Sequence, residues 1–334
     1  MTGILVLLKP LGMTSHDVVA KVRRHLGQRR VGHTGTLDPE AAGVLVLCLG
    51  NATRLVPYME GHLKGYRGEL WLGRSTDTQD ACGEVLDEDR TFSITDMDLR
   101  GAFAAFRGEI EQIPPMVSAL KYKGKRLYEL ARQGKVVERK PRPVKIYELS
   151  LVEGPQKNRW EFGDVVQFDV VCSKGTYIRT LCQDIGSYLG VPAHMSSLLR
   201  TQVGPWSLDD VFTLEEFRQI TKDRARSELL DMGANNRRGF FSMDWGIKHL
   251  PGAVISRQAV RYLRHGRRIQ ASQVVQVLEA EDTPAETVTD TQKSRELLRI
   301  YDIDGRFLGL CRLEKAEREW ELQPIRVLSL ESDE

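Results

Sequence analysis

Five stretches of the chain carry a strand signal: GILVLL (3–8), GVLVLCLG (43–50), GYRGELWLG (65–73), RPVKIYELSLV (142–152) and DVVQFDVVCSKG (164–175). In each, β-branched or alternating apolar residues are bounded by Gly, Pro or polar residues. Helical segments separate some of them. After KPLGMTS, Ser15 is placed to cap a helix that carries Asp17 in its first turn, Val18, Val22 and Leu26 on one face, and Gly27 as its closing residue. Ile178, Leu181, Ile185 and Leu189 make a second amphipathic face that stops at Gly190, with Pro192 beyond. The expected fold is α+β, a mixed sheet with flanking helices.

At 334 residues and 41% hydrophobic, the chain has material for a large core and for two domains. The segment 213–241 opens with a capping box, Thr213 to Glu216, and loses periodicity from Lys222 to Arg238, so we read helix followed by linker. From about Gly252 a new unit begins, with QAVRYLRHGRRI, then two apolar runs joined by the turn DIDG, then WELQPIRVL. This predicts a small β domain over 246–334 beside a larger one over 1–245. Its segment 279–294, acidic and poor in large apolar residues, reads as a mobile loop.

Charge is nearly balanced, 48 basic residues against 46 acidic. Its distribution is uneven. Residues 112–145 hold ten Lys/Arg and two Glu, while Glu84, Asp87, Glu88, Asp89, Asp96 and Asp98 form an acidic stretch upstream. A basic face on a neutral protein suits nucleic acid, and a solvated surface segment is the plainer alternative. Cys48, Cys82, Cys172, Cys182 and Cys311 are scattered with no C-x-x-C pair, which argues against a disulfide framework or zinc site and fits reduced thiols in the cytoplasm. The apolar run at residues 4–8 is too short for a signal segment or a membrane span.

The loop GHTGTLDP (32–39) sets one carboxylate, Asp38, before a proline and after two glycines, a posture suited to holding it at a cleft edge. An Asp that only accepts hydrogen bonds from its own loop fits the same residues. No Walker lysine follows the glycines, there is no second Asp-Thr-Gly for an aspartic dyad, and TDTQD (76–80) supplies no complete metal ligand set.

KPLGMTS, GHTGTLDPEAAGVLVLCLGNATRL, KGYRGELWLGRSTDTQDACGEV, QIPPMVSALKYKGKRLYELARQG and CSKGTYIRTLCQDIGSYLGVPAHMSSLLRTQVGPW resemble, in order, the signature blocks of the bacterial TruB-type tRNA pseudouridine synthases, over about residues 3–206. The end of the chain is similar, more loosely, to the PUA-type RNA-binding module. The resemblance implies isomerisation of uridine 55 in the TΨC arm of tRNA, with Asp38 as the catalytic carboxylate, Tyr66 stacking on the target base and Arg179 as the active-site arginine paired with Asp38. It further implies that Asp80 extends that polar network, that Leu198 closes the pocket and that His33 stands against the neighbours of the flipped nucleotide. Tyr177, in the same block as Arg179, joins the substrate-binding set. Lys9 and Arg54 are candidates for phosphate or scaffold contacts, and Lys123, Lys125 and Arg126 belong to a phosphate-contacting arm in which Tyr122 and Tyr128 are interleaved.

Breaking N1–C1′ and joining C5 to C1′ involves no net redox change and adds no group, so no cofactor or metal is expected. The implied partner is tRNA, without a membrane or an obligate protein partner, and the implied state is a monomer. Two rival functions stay open: an RNA-binding folding factor, and a synthase of the same fold with another RNA target. Three features depart from the family pattern: Arg54 where lysine is common, Leu199 where arginine often follows the pocket leucine, and the long segment 222–241.

Overall fold

The computed structural model describes residues 1–118, 120–152, 157–223, 228, 238–281, 296–316 and 319–328. The chain divides into two compact units, one of Met1–Pro39, Gly43–Leu63 and Gln202–Glu334, the other of Glu40–Ala42 and Lys64–Thr201.

In the first unit, strand Gly3–Lys9 lies antiparallel to Ala41–Leu49 in unbroken register from Gly3↔Leu49 to Lys9↔Gly43. Phe240–Phe241 flanks the first strand and Val31–His33 the second. Both central strands are apolar at nearly every position because both of their faces are covered. Successive side chains alternate between faces. Ile4, Val6, Val44, Val46 and Cys48 therefore enter one core with Trp206, Ile247, Leu250, Phe307 and Leu310. Leu5, Leu7, Leu45, Leu47 and Leu49 enter another, beneath Val18, Val19, Val22 and Leu26 of helix Ser15–Leu26 and Phe217 of helix Leu214–Asp223.

The first helix is capped one residue earlier than the sequence suggests. Thr14 is the N-cap: its hydroxyl accepts from the Asp17 N–H at 3.0 Å, and its own N–H donates to the Asp17 carboxylate at 2.9 Å. Ser15 is the first helical residue, and its buried hydroxyl turns inward to Leu37. Gly27 closes the helix at φ 59°, as expected of a left-handed C-terminal residue. The Thr213–Glu216 box is also formed. The expected linker after Lys222 lies largely outside the described residues.

From Gly252 the chain builds a six-stranded sheet in the order Ile269–Gln270, Trp320–Val327, Phe307–Lys315, Leu297–Tyr301, Gly252–Ile255, Val274–Leu278. Gly252–Ile255 runs parallel to Leu297–Tyr301, so the sheet is mixed. The DIDG turn joins two antiparallel strands, with Asp302 accepting from the N–H groups of Asp304 and Arg306. Helix Arg257–Arg264 covers one face through Ala259 and Leu263. Most of the expected loop over 279–294 falls outside the described residues.

The second unit is a sheet in the order Ala193–Val203, Lys64–Leu72, Val165–Cys172, Arg142–Leu151, Gly108–Gln112. Helices Asp96–Ala105 and Ile178–Leu189 belong to this unit, the second ending at Gly190 with φ 70°. The basic stretch leaves the sheet at Gln112 and re-enters it at Arg142, forming an arm between two paired strands.

Candidate active site

The expected site residues divide between the units: Asp38, His33, Lys9 and Arg54 in the first, Tyr66, Asp80, Tyr177, Arg179, Leu198 and the arm in the second.

Asp38 is half-buried, and its backbone is anchored on both sides. Before it, the Ser15 hydroxyl donates to the Leu37 carbonyl at 3.1 Å and accepts from the Leu37 N–H at 2.8 Å. After it, the Pro39 carbonyl accepts from the Gly12 N–H at 2.9 Å and from the Lys9 ammonium at 3.4 Å. Lys9 is fully buried and also donates to the carbonyls of Pro10 (2.9 Å) and Met13 (2.5 Å). These contacts tie the Lys9 side chain to the backbone on both sides of the loop. The backbone on both sides of Asp38 is thus tied to the segment 9–15. His33 is half-buried, its ring edge-on to His16 with centroids 5.3 Å apart. Arg54 is exposed on the 3-10 segment Gly50–Leu55.

In the second unit Arg179 and Asp80 meet. Both are buried, at 5% and 6% exposure, and Arg179 Nη1 lies 3.2 Å from Asp80 Oδ2. Nη1 also donates to the Thr78 carbonyl at 3.2 Å, and Nη2 to the Val117 carbonyl at 2.9 Å. The other Asp80 oxygen accepts from the Thr78 hydroxyl at 2.6 Å and the Cys82 N–H at 3.1 Å. A desolvated ion pair persists only when its remaining lone pairs and protons are matched in this way. The loop is stitched further to its surroundings by Gln79, at φ 66°, whose side chain accepts from the Thr180 hydroxyl at 2.7 Å and whose carbonyl accepts from Met195 N–H at 3.1 Å.

Tyr66, opposite Val170 in the sheet, is 8% exposed. Its hydrogen-bond partner is Arg200, a guanidinium that burial pulls down from its ordinary pKa while Tyr66 pulls it back up. Leu198 lies two residues before Arg200 on the same strand, hence on the same face, and is buried. Tyr177 is the N-cap residue of helix Ile178–Leu189, its backbone held by the Gln112 side chain.

The arm opens with a hairpin, Lys121–Tyr122 against Lys125–Arg126, turning at Lys123 and Gly124 with φ 48° and 87°. Positive φ at both central residues matches the right-handed twist of paired strands. Lys121, Lys123 and Lys125 are exposed, while Arg126 and Arg132 stand 5.9 and 5.5 Å from the centre of the Tyr128 ring. Gln112, Thr78 and Arg200 escaped the sequence reading. Arg200 carried a signal, a cation within an apolar strand, but the other two act through contacts between distant segments.

The TruB family pseudouridylate synthase N-terminal domain matches residues 23–178, and the tRNA pseudouridylate synthase B C-terminal domain matches residues 179–232. The chain is 41% identical over 329 residues to tRNA pseudouridine synthase B of Moorella thermoacetica, covering 98% of this chain and 99% of that one. It belongs to the TruB family. Two further TruB relatives are tRNA pseudouridine synthase B of Geobacillus thermodenitrificans, 44% identical over 90% of this chain and 94% of the relative, and that of Alkaliphilus oremlandii, 45% identical over 83% and 86%. In structure, this TruB-family enzyme is similar to a chain of the crystal structure of a Cbf5-Nop10-Gar1 complex, with a TM-score of 0.69 and 27% identity over 98% of this chain and 84% of that chain. An archaeal box H/ACA sRNP Nop10-Cbf5 complex gives 0.66 and 26% over 97% and 85%. Among the described residues no helix is long and apolar enough to cross a membrane, and no cluster of His, Cys, Asp or Glu is arranged to hold a metal ion.

Proposed function

We propose that the chain isomerises uridine 55 in the TΨC arm of tRNA to pseudouridine, with Asp38 as the catalytic carboxylate. The observation that carries this reading is the mounting of Asp38 between two anchored neighbours, Leu37 and Pro39. A carboxylate needed only for its own loop requires no such frame; one that must meet a sugar carbon does, because catalysis depends on near-attack placement.

The reaction detaches the base at N1–C1′, turns it and joins C5 to C1′. The target lies in a folded loop, so the nucleotide is first extruded, with His33 against the neighbours it leaves. Tyr66 stacks on the base and its hydroxyl helps move the C5 proton. Arg179, held by its ion pair with Asp80, is the active-site arginine, and Leu198 supplies the apolar wall. The exposed cations of the arm, with Arg54, contact phosphates and read the shape of the tRNA elbow. Residues 246–334 act as a PUA-like RNA-binding module beside a catalytic domain of 1–245, and the enzyme works as a monomer in the cytoplasm.

The test is an unmodified tRNA transcript incubated with the chain and mapped for pseudouridine. Asp38→Asn should bind tRNA as the parent does and make no product, since an amide of the same size is neither nucleophile nor base. Turnover within about tenfold of the parent would remove Asp38 from the chemistry. Tight tRNA binding without product from the parent would favour a folding factor.

A further inference from the structure

Gln112 ends strand Gly108–Gln112 at the point where the basic arm begins, and at 1% exposure it is closed off from water. Its carboxamide is spent on one distant residue. Oε1 accepts from the Tyr177 N–H at 3.0 Å, and Nε2 donates to the Tyr177 carbonyl at 3.2 Å. Tyr177 has no side-chain cap of its own to offer the helix, and its carbonyl also accepts the helical bond from Leu181 N–H at 3.0 Å. Gln112 therefore fixes the backbone from which Arg179 departs two residues later. A second link starts from the same root. Val117, five residues into the arm, gives its carbonyl to Arg179 Nη2 at 2.9 Å, and Arg139 on the returning limb donates to the Pro114 carbonyl at 3.1 Å. The arginine is thus held at its backbone origin and at its guanidinium by the base of the segment whose tip bears Lys121, Lys123 and Lys125.

We propose that Gln112 is a positioning residue through which the seated arm sets Arg179 for the reaction. The inference rests on the reading of Arg179 given above. A primary amide is the side chain for this task because it presents one donor and one acceptor side by side, matching a backbone N–H and C=O together. Glutamate keeps only the acceptor, and methionine, of similar length, has no donor and at best a weak acceptor.

The experiment uses the full chain and an unmodified tRNA transcript, with turnover measured at saturating and limiting RNA. Gln112→Met should lower kcat by about 100-fold, the scale of a small misplacement of a reacting group, while KM for tRNA changes little. Gln112→Glu should fall between Gln112→Met and the parent, and is read in the same way if the methionine variant does not fold. Amide hydrogen exchange at Tyr177 should quicken in both. In an Arg179→Lys background, whose side chain no longer has the planar fork to be aimed, Gln112→Met should cost much less than it does in the parent. Parental turnover of Gln112→Met overturns the proposal if Arg179→Met is inactive. So does a rise in KM at constant kcat, or a loss that is undiminished in the Arg179→Lys background, because each assigns Gln112 to binding or to general stability. Parental turnover of Arg179→Met instead removes the reading of Arg179 on which the inference depends.

Discussion

Ser15 and Gln112 do the same work in different units. Each puts a donor and an acceptor of one side chain onto the N–H and C=O of one residue far along the chain, Leu37 for Ser15 and Tyr177 for Gln112, and each target adjoins or precedes by two a residue of the proposed chemistry. Ser15→Ala leaves both Leu37 groups buried without that partner and should cost about 1–3 kcal/mol of stability, read as a shift of the urea midpoint. Turnover should fall further than the unfolded fraction accounts for, since the mount of Asp38 loosens while the fold survives. Parental turnover in a destabilised Ser15→Ala chain would show that the loop holds Asp38 by other means. The sequence assigned Ser15 the wrong partner because two adjacent hydroxyl residues both suit an N-cap. What decides between them is Asp17, which stands three residues after Thr14 and closes the reciprocal box with it.

At the scale of elements, local patterns were legible and long-range ones were not. The two helices closed by Gly27 and Gly190 and all five strands form where their periodicity and boundary residues put them. The acidic stretch upstream of the arm resolves into local structure rather than a face: Glu88 pairs with Arg74 and Arg90, and Asp98 completes a capping box with Thr95. Hydrogen bonds lower the pKa of both carboxylates, from the two arginines in Glu88 and from Thr95 in Asp98. The family blocks place Arg179 and Asp80 in one polar network, but no local window shows it: the contact forms where the helix meets the loop at 76–80 and spans 99 residues. The arm's charges make a separate prediction. Replacing Lys123, Lys125 and Arg126 by Ala should weaken tRNA binding and flatten its salt dependence by roughly one unit of log-log slope per lost phosphate contact, with kcat at saturation much less affected because the root at Gln112 and Val117 is untouched. An unchanged slope, measured by titrating binding against salt, would place the phosphate contacts elsewhere.

For the molecule as a whole, acid sensitivity has an identifiable source in the first unit. Burial, with the Arg299 guanidinium alongside, pulls the His249 imidazole down from 6.5 to about 4. Its Nδ1 lies 3.4 Å from His62 Nε2, and Arg299 is itself fixed to the Leu250 carbonyl and the Tyr301 hydroxyl, which donates to Asp244. A histidine depressed in the folded state binds its proton more readily when unfolded. Its contribution is complete above about pH 6.5 and is lost as pH falls toward about 4. His249→Gln should flatten the fall of melting temperature across that window, and an equally steep fall in the variant would assign the acid sensitivity to other groups.

The five cysteines are all free thiols, and only Cys82 is exposed. Burial holds the other four protonated, with Cys48 and Cys311 pushed to about 12, Cys172 to about 11 and Cys182 higher still. A thiol reagent needs the thiolate and a path to it, so these four sulfurs act as sealed stopwatches that start when their surroundings open. Two, Cys48 and Cys311, are set in the first unit, and two, Cys172 and Cys182, in the second. One equivalent of label should enter the native enzyme. Under mild denaturant, the order in which the remaining pairs are tagged, read by peptide mass, would report which unit gives way first, with no probe added to the chain.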